Sequence, residues 1–88
     1  MAWTVSFDPR ALKELERLDR TIQRRVVKYL RERVLLKANP RSLGKALTGA
    51  KVGLWRYRVG DYRIVCDIRD AGEIVHILRI GQRKDVYR

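Results

Sequence analysis

The 88-residue sequence contains one cysteine, one histidine and two prolines, and these scarcities exclude several classes of protein. Cys66 has no second cysteine with which to form a disulfide within the chain, so we expect a reducing compartment and a cytoplasmic location. A zinc site needs three or four ligands at recognisable spacing, which the sequence does not offer, so no metal or other cofactor is expected. No apolar run approaches the ~20 residues of a transmembrane helix, so no membrane partner is expected either.

The usual groups for nucleophilic or acid–base catalysis are also scarce. A catalytic Cys–His pair could come only from Cys66 and His76, and a lone histidine in an apolar strand pattern is usually structural. Asp67 is the only acidic residue well inside a predicted strand, so paired carboxylates are not expected. The glycine-containing turns lack the glycine-rich loop and following helix of a nucleotide site.

Positive charge is abundant. Twenty-one Lys and Arg residues against ten Asp and Glu leave a formal net charge of +11, and 15 of the 21 are arginine. The planar guanidinium group binds phosphate and carboxylate in a bidentate manner, so this bias favours a polyanionic partner. The length allows one core, and we expect a single domain over residues 1–88.

The N-terminal half predicts a strand followed by two helices. Apolar residues alternate from Trp3 to Phe7, which is typical of a strand with one buried face. Asp8 is a good N-cap and Pro9 suits the first helical position, so a helix should begin there. Its leucines recur at helical spacing, with charged residues, Glu14 among them, on the other side. Asp19 can cap a second helix, which should end before residues 39–40.

The C-terminal half changes to a period of two. Residues 40–51 are interpreted as a loop, and strands are predicted near 54–59, 62–69 and 73–80, the last broken by Gly81. Connections of about two residues make this meander antiparallel. The sequence therefore predicts an α+β domain of order β-α-α-β-β-β, a small antiparallel sheet with two N-terminal helices packed on one face.

Six arginines are distributed over the three C-terminal strands and the tail. Neighbouring antiparallel strands bring such residues within about 5–8 Å of one another, and like charges that close are destabilising unless an anion binds. A phosphate-binding surface and a solvated outer face both remain open at this point. The six residues are Arg56, Arg58, Arg63, Arg69, Arg79 and Arg83.

Three segments carry a resemblance to a known family. They are FDPRALKEL (7–15), GLWRYRVGDYRIV (53–65) and IGQRKDVY (80–87). The chain resembles the RelE branch of the RelE/ParE toxin superfamily over nearly its whole length. That resemblance implies a RelE-like fold and the toxin of a type II toxin–antitoxin system. It further implies a metal-independent, ribosome-dependent endoribonuclease (mRNA interferase) that cuts mRNA in the A site and inhibits translation.

The resemblance also assigns site residues. It implies that Arg56, Arg63, Arg83 and Tyr87 are catalytic. Attack of the RNA 2′-hydroxyl on the adjacent phosphate would give a 2′,3′-cyclic phosphate. Leu54 stands where some members carry a lysine, so a lysine general base is not assigned. Candidate RNA-binding residues are Lys45, Lys51, Arg58 and Lys84, with Arg24, Arg25 and Lys28 on the polar side of the second helix, where solvation is the competing interpretation.

Two other functions compete with RNA cleavage. ParE-like toxins share the fold and inhibit DNA gyrase, and a basic domain can also bind nucleic acid without any activity. The expected partners of a RelE-like toxin are a cognate acidic antitoxin similar to RelB, the ribosome through its rRNA, and mRNA.

Overall fold

The computed structural model describes residues 3–36, 39–49 and 53–82. Within these ranges lie two α-helices and five strands, and the predicted α+β class is confirmed. The elements in chain order are β1 (Thr4–Phe7), α1 (Pro9–Arg17), α2 (Arg20–Tyr29), β2 (Lys45–Ala46), β3 (Trp55–Val59), β4 (Tyr62–Arg69) and β5 (Ile74–Gln82).

The five strands form one sheet in the order β1-β5-β4-β3-β2. The predicted antiparallel meander of β3, β4 and β5 is confirmed, but β1 lies parallel to β5 and the sheet is mixed. Parallel neighbours need a long connection between them, and the helices together with the meander provide it. The predicted antiparallel sheet did not include this parallel pair, because strand alternation alone cannot distinguish the two directions.

Two strand boundaries differ from the sequence interpretation. The last strand does not break at Gly81 but continues to Gln82, which pairs with Tyr62. The segment 40–51 is not entirely loop, because Lys45 and Ala46 pair with β3. A two-residue strand is too short to show alternation, and a glycine is compatible with extended backbone where the ladder continues.

The helix starts follow from local chemistry. The Arg10 backbone N–H donates to Asp8 Oδ2 at 3.0 Å, which confirms the N-cap, and Pro9 occupies the first position of α1. Asp19 is the N-cap residue of α2, but its side chain makes no capping hydrogen bond. The chain after Tyr29 continues as a π-helical turn over Leu30–Val34 instead of regular α-helix.

The core lies between the helices and one face of the sheet. Val26, Leu30 and Val34 from the second helical segment are buried against strand residues that include Tyr57 and Ile64. Tyr57 and the half-buried Trp55 are therefore packing residues. None of the helices within the described ranges has both the length and the apolar character that crossing a bilayer requires.

Candidate functional site

Arg58 and Arg63 lie directly opposite each other on β3 and β4. Successive side chains of a strand point to opposite faces. Tyr57 and Ile64 point into the core, so Arg58 and Arg63 lie on the sheet face that the helices do not cover. We call this the outer face. Directly opposed residues have Cβ atoms about 4.5–5.5 Å apart, so the two arginine side chains leave the sheet from neighbouring positions.

Arg63 is an unusual residue for an open sheet face because it is only 7% exposed. Its Nε atom is buried and has no hydrogen-bond partner in the described part of the chain. An unpaired buried donor costs about 1–3 kcal/mol, and a like charge opposite adds to that cost. A bound anion relieves both costs, so this position suits a phosphate oxygen.

Arg56 and Lys45 extend the positive charge toward the edge of the sheet. Lys45 of β2 lies opposite Arg56 of β3, and Arg56 in turn lies opposite Val65. The Trp55 indole Nε1 donates to the Leu43 carbonyl at 2.7 Å, which holds the chain just before β2 against β3. The strand pairs thus align Lys45, Arg56 and the Arg58–Arg63 pair on the outer face.

Two other arginines of the predicted cluster have acidic partners. The Arg69 Nε donates to Asp67 Oδ2 at 3.1 Å. Arg79 contacts both carboxylate oxygens of Glu14 from α1, with an Nη2–Oε2 distance of 3.1 Å. These two arginines are therefore structural ion-pair residues, and the cluster is smaller than the sequence suggested.

The helix cations are not wholly separate from the outer face. Arg24, Arg25 and Lys28 are exposed on α2, as expected. However, the Arg25 guanidinium borders the β3–β4 turn, where a Cβ built on Gly60 would lie 3.3 Å from Arg25 Nη2. Arg58 Nε donates to the carbonyl of the same Gly60 at 3.2 Å. The turn therefore connects the two basic surfaces.

Four predicted site residues lie outside the described residues: Lys51, Arg83, Lys84 and Tyr87. Leu54, which replaces a family lysine, is half-buried next to β3. A leucine cannot transfer a proton, so no base is present at that position.

Cys66 and His76 do not form a catalytic pair. Cys66 is fully buried on the core side, where it lies opposite Ile77, whereas His76 lies opposite Asp67 on the outer face. The His76 Nδ1 is hydrogen-bonded to Ser6 Oγ at 2.7 Å. Burial raises the pKa of the Cys66 thiol to about 12, which keeps the thiol neutral. In the described ranges, no three His, Cys, Asp or Glu side chains group together as metal ligands.

Sequence reasoning missed the role of Glu14. It placed Glu14 on the exposed side of α1, but the side chain turns toward β5, where it also accepts the Ile80 backbone N–H at 2.9 Å. A usable signal was present, because Glu14 follows the buried Ala11 by one helical turn and precedes the buried Leu15.

Comparison with known proteins decides the family. The family model described as "ParE toxin of type II toxin-antitoxin system, parDE" matches residues 5–87. Toxin RelE of Mycobacterium tuberculosis is 36% identical over 84 residues, which are 96% of this chain and 84% of that protein. Toxin RelG of the same organism is 34% identical over 88 residues, covering 100% of this chain and 99% of the relative. The chain belongs to the RelE/ParE toxin superfamily and is RelE-like.

Solved structures agree with this assignment. The toxin of the RelBE2 toxin–antitoxin complex from M. tuberculosis has a TM-score of 0.84 at 30% identity, covering 94% of this chain and all of that one. The toxin chain of the intact Escherichia coli RelBE complex has a TM-score of 0.73 at 25% identity, with 93% and 98% covered. This RelE-like protein is therefore the toxin component of a type II toxin–antitoxin system.

Proposed function

We propose that this RelE-like toxin is a ribosome-dependent endoribonuclease that cleaves mRNA in the A site. The observation that carries the proposal is the buried Arg63, whose Nε has no partner within residues 3–36, 39–49 and 53–82 and whose cross-strand neighbour is a second arginine. A folded protein retains such a costly arrangement where an anion binds, and RNA presents a phosphate of matching charge.

The reaction requires an in-line displacement at phosphorus. The ribose 2′-oxygen forms a bond to the adjacent phosphorus while the bond to the 5′-oxygen of the next nucleotide breaks. The 2′-hydroxyl loses its proton and the leaving 5′-oxygen gains one, which gives a 2′,3′-cyclic phosphate and a 5′-hydroxyl. Negative charge grows on the phosphoryl oxygens in the transition state, and positioned cations stabilise it.

Each catalytic candidate has a distinct task. Arg63 binds a phosphoryl oxygen, with Arg83 as the second guanidinium and Arg56 supporting the substrate along β3. Arginine has a pKa above about 12 and is a poor proton carrier. Tyr87, whose phenol can both donate and accept a hydrogen bond, is therefore the residue proposed to orient or activate the 2′-hydroxyl.

The remaining cations are proposed to bind RNA without taking part in chemistry. Lys45 and Arg58 flank the candidate catalytic arginines on the outer face, and Arg24, Arg25 and Lys28 extend the positive surface over α2. Lys51 and Lys84 are assigned to the same task from the sequence. Contacts with rRNA and mRNA phosphates are the expected role of this surface.

The proposed inhibitor is a cognate acidic antitoxin similar to RelB, and the proposed location is the cytoplasm, where translation occurs. Charge supports the partner, because a toxin of net charge +11 attracts an acidic protein. The structures of the M. tuberculosis and E. coli relatives are toxin–antitoxin complexes. Co-expression with the adjacent small acidic reading frame should restore growth, and failure of any adjacent gene to do so contradicts this partner.

Primer extension on mRNA in a purified translation system tests the nuclease. The native toxin should produce discrete cuts within A-site codons, and Arg83→Ala should reduce the cleavage rate by about 10²–10³-fold. Arg69→Ala is the matched control, because Arg69 is an outer-face arginine of β4 already paired with Asp67, and it should retain activity.

The same protein preparations separate the alternatives. Intact mRNA together with inhibition of gyrase supercoiling would assign a ParE-like target instead. Intact mRNA and normal supercoiling, with retained affinity for ribosomes, would leave a nucleic-acid-binding module.

A further inference from the structure

Among the described residues, no strand lies beside the second half of β5 on one side. β1 ends at Phe7, opposite Ile77, whereas β5 continues to Gln82. Backbone N–H groups on this side of residues 78–82 need another acceptor, because an unpaired buried N–H group is costly.

Glu14 of α1 supplies that acceptor. Its Oε1 accepts the Ile80 N–H at 2.9 Å, and both carboxylate oxygens accept from Arg79 Nε, at 3.2 and 3.1 Å. The side chains of Arg79 and Glu14 are only 14% and 21% exposed. One carboxylate therefore binds the backbone and the side chain of two consecutive β5 residues, and we call this arrangement the Glu14 clamp.

The clamp lies directly after an irregularity in the β4–β5 pairing. Val65 pairs with Arg79 but the next residue, Cys66, pairs with Ile77, so Leu78 is an extra residue on β5. Such a bulge reverses which side chains point to which face from that point onward. Because of it, Ile77 and Ile80 are both buried in the core, and Arg79 and Gly81 lie on the outer face.

The register after the bulge bears directly on the proposed site. Gly81, the residue after Ile80, is the cross-strand neighbour of Arg63 and brings no side chain to that position. A slip of one residue in β5 would place a different side chain beside Arg63.

We infer that Glu14 is a positioning residue of the toxin, which holds the register of β5 after the bulge and thereby keeps Gly81 beside Arg63, the arginine proposed to bind the scissile phosphate. The inference rests on the proposed nuclease function. A half-buried ion pair contributes little to stability relative to apolar residues of similar size, whereas it specifies one arrangement among alternatives.

Cleavage kinetics on programmed ribosomes test this role. Glu14→Ala should lower the saturated cleavage rate by about 10–100-fold with little change in the toxin concentration for half-maximal rate, because small displacements of reacting groups carry penalties of this order. Glu14→Gln keeps an acceptor for the Ile80 N–H and should lie between Glu14→Ala and the native toxin. Glu16→Ala, an exposed glutamate on the same helix, is the control and should cleave normally.

A second readout reports the clamp without any cleavage. Exchange of the Ile80 amide hydrogen should be at least ~10-fold faster in Glu14→Ala than in Glu16→Ala, with Glu14→Gln intermediate. If Glu14→Ala does not fold, Glu14→Gln against Glu16→Gln gives the same comparison.

The outcomes distinguish the two proposals. Native toxin that leaves mRNA intact overturns the nuclease function and this inference with it. Native toxin that cuts, together with an unchanged saturated rate in folded Glu14 variants, overturns the positioning role alone. The positioning role is also overturned if Glu14→Ala raises only the toxin concentration for half-maximal cleavage. It is likewise overturned if the Ile80 amide hydrogen exchanges at an unchanged rate in Glu14→Ala.

Discussion

The burial of Arg63 lowers the stability of the protein but suits the phosphate binding proposed for this residue. Its neighbours along β4, Ile64 and Val65, are buried apolar residues. Arg63 is buried among them, with an arginine opposite and an Nε that has no partner among the described residues. We therefore expect an apolar substitution at this position to raise the free energy of unfolding.

Arg63→Met should raise the free energy of unfolding by about 1 kcal/mol or more, because it removes a buried donor that has no partner in the described part of the chain. The same variant should cleave mRNA about 10²–10³-fold more slowly. Urea unfolding and primer extension measure the two effects. Arg58→Met is the control, since Arg58 is exposed and its loss should change stability by less than about 0.5 kcal/mol. A destabilised Arg63→Met protein would contradict the assignment of strain to Arg63.

Cys66 should be chemically inert in the folded toxin. Burial raises the pKa of its thiol to about 12, and only the thiolate reacts readily. Labelling with a thiol-specific reagent at pH 8 should be slow in native protein and rapid in guanidinium chloride. Rapid labelling of the native toxin would show that the core opens at Cys66.

The same thiol should make stability depend on alkaline pH. The folded pKa lies above the unfolded value near 8.5, so this contribution is complete below that pH and is lost as the pH rises toward 12. Between these values the free energy of unfolding should fall by up to about 1.4 kcal/mol per pH unit, and Cys66→Ala should flatten the fall. Burial also raises the pKa of Tyr57, which steepens the decline above about pH 10. Urea unfolding at pH 7.5 and 9.5 checks the sign.

At the scale of elements, the short strand β2 depends on the segment that precedes it. The Tyr57 hydroxyl donates to the Pro40 carbonyl oxygen at 2.5 Å, and the Trp55 indole N–H donates to the Leu43 carbonyl oxygen at 2.7 Å. Arg41 makes a bidentate ion pair with Asp70, and this hydrogen bonding lowers the pKa of the Asp70 carboxyl. Side chains of β3 and the β4–β5 turn thus hold residues 40–43, which places Lys45 beside Arg56.

Gly44→Ala should strongly destabilise this arrangement. Gly44 has φ +78, and a Cβ there would lie 2.2 Å from the Arg56 carbonyl oxygen. Gly49 has φ +67 but open space around it, so Gly49→Ala is a matched control that isolates backbone strain. That strain costs roughly 1–2 kcal/mol, and Gly44→Ala should exceed it clearly because β2 must also move. Thermal unfolding compares the two, and equal losses would contradict close packing at Gly44.

At the scale of the whole molecule, two basic surfaces meet at the β3–β4 turn. The outer face carries the candidate catalytic arginines, and α2 carries exposed cations, with Arg25 and Arg58 both at Gly60. A positive surface of this extent suits docking on rRNA phosphates, and the proposed chemistry belongs to the arginines of the sheet.

The double variant with Arg24→Ala and Lys28→Ala should need a higher toxin concentration for half-maximal cleavage, and its saturated rate should be nearly unchanged. If both residues contact phosphates, the slope of log K against log salt concentration should become shallower by about 1.4–1.8. Lys13→Ala with Arg17→Ala removes two exposed cations from α1 and serves as the control. Unaltered affinity returns α2 to a solvation role, and a collapsed saturated rate contradicts the separation of docking from catalysis.

Features that depend on near neighbours along the chain could be predicted from the sequence alone. Asp8 and Pro9 specify the start of α1, and the period of two from residue 55 onward specifies a meander whose short turns leave only the antiparallel arrangement. Arg58 and Arg63 fall opposite each other for the same reason, because the turn between β3 and β4 sets the register. The basic character and the arginine content followed from composition alone.

Features that depend on contacts between distant segments became visible only in the folded structure. The parallel pairing of β1 with β5, the bulge at Leu78, the clamp by Glu14 and the burial of Arg63 each join segments far apart in the chain. Local periodicity shows which face of an element is apolar, but it does not carry the identity of the partner that covers that face. For Glu14 and Arg79, two charged residues that alternation alone leaves solvated, packing of α1 beside β5 converted surface charges into a half-buried ion pair.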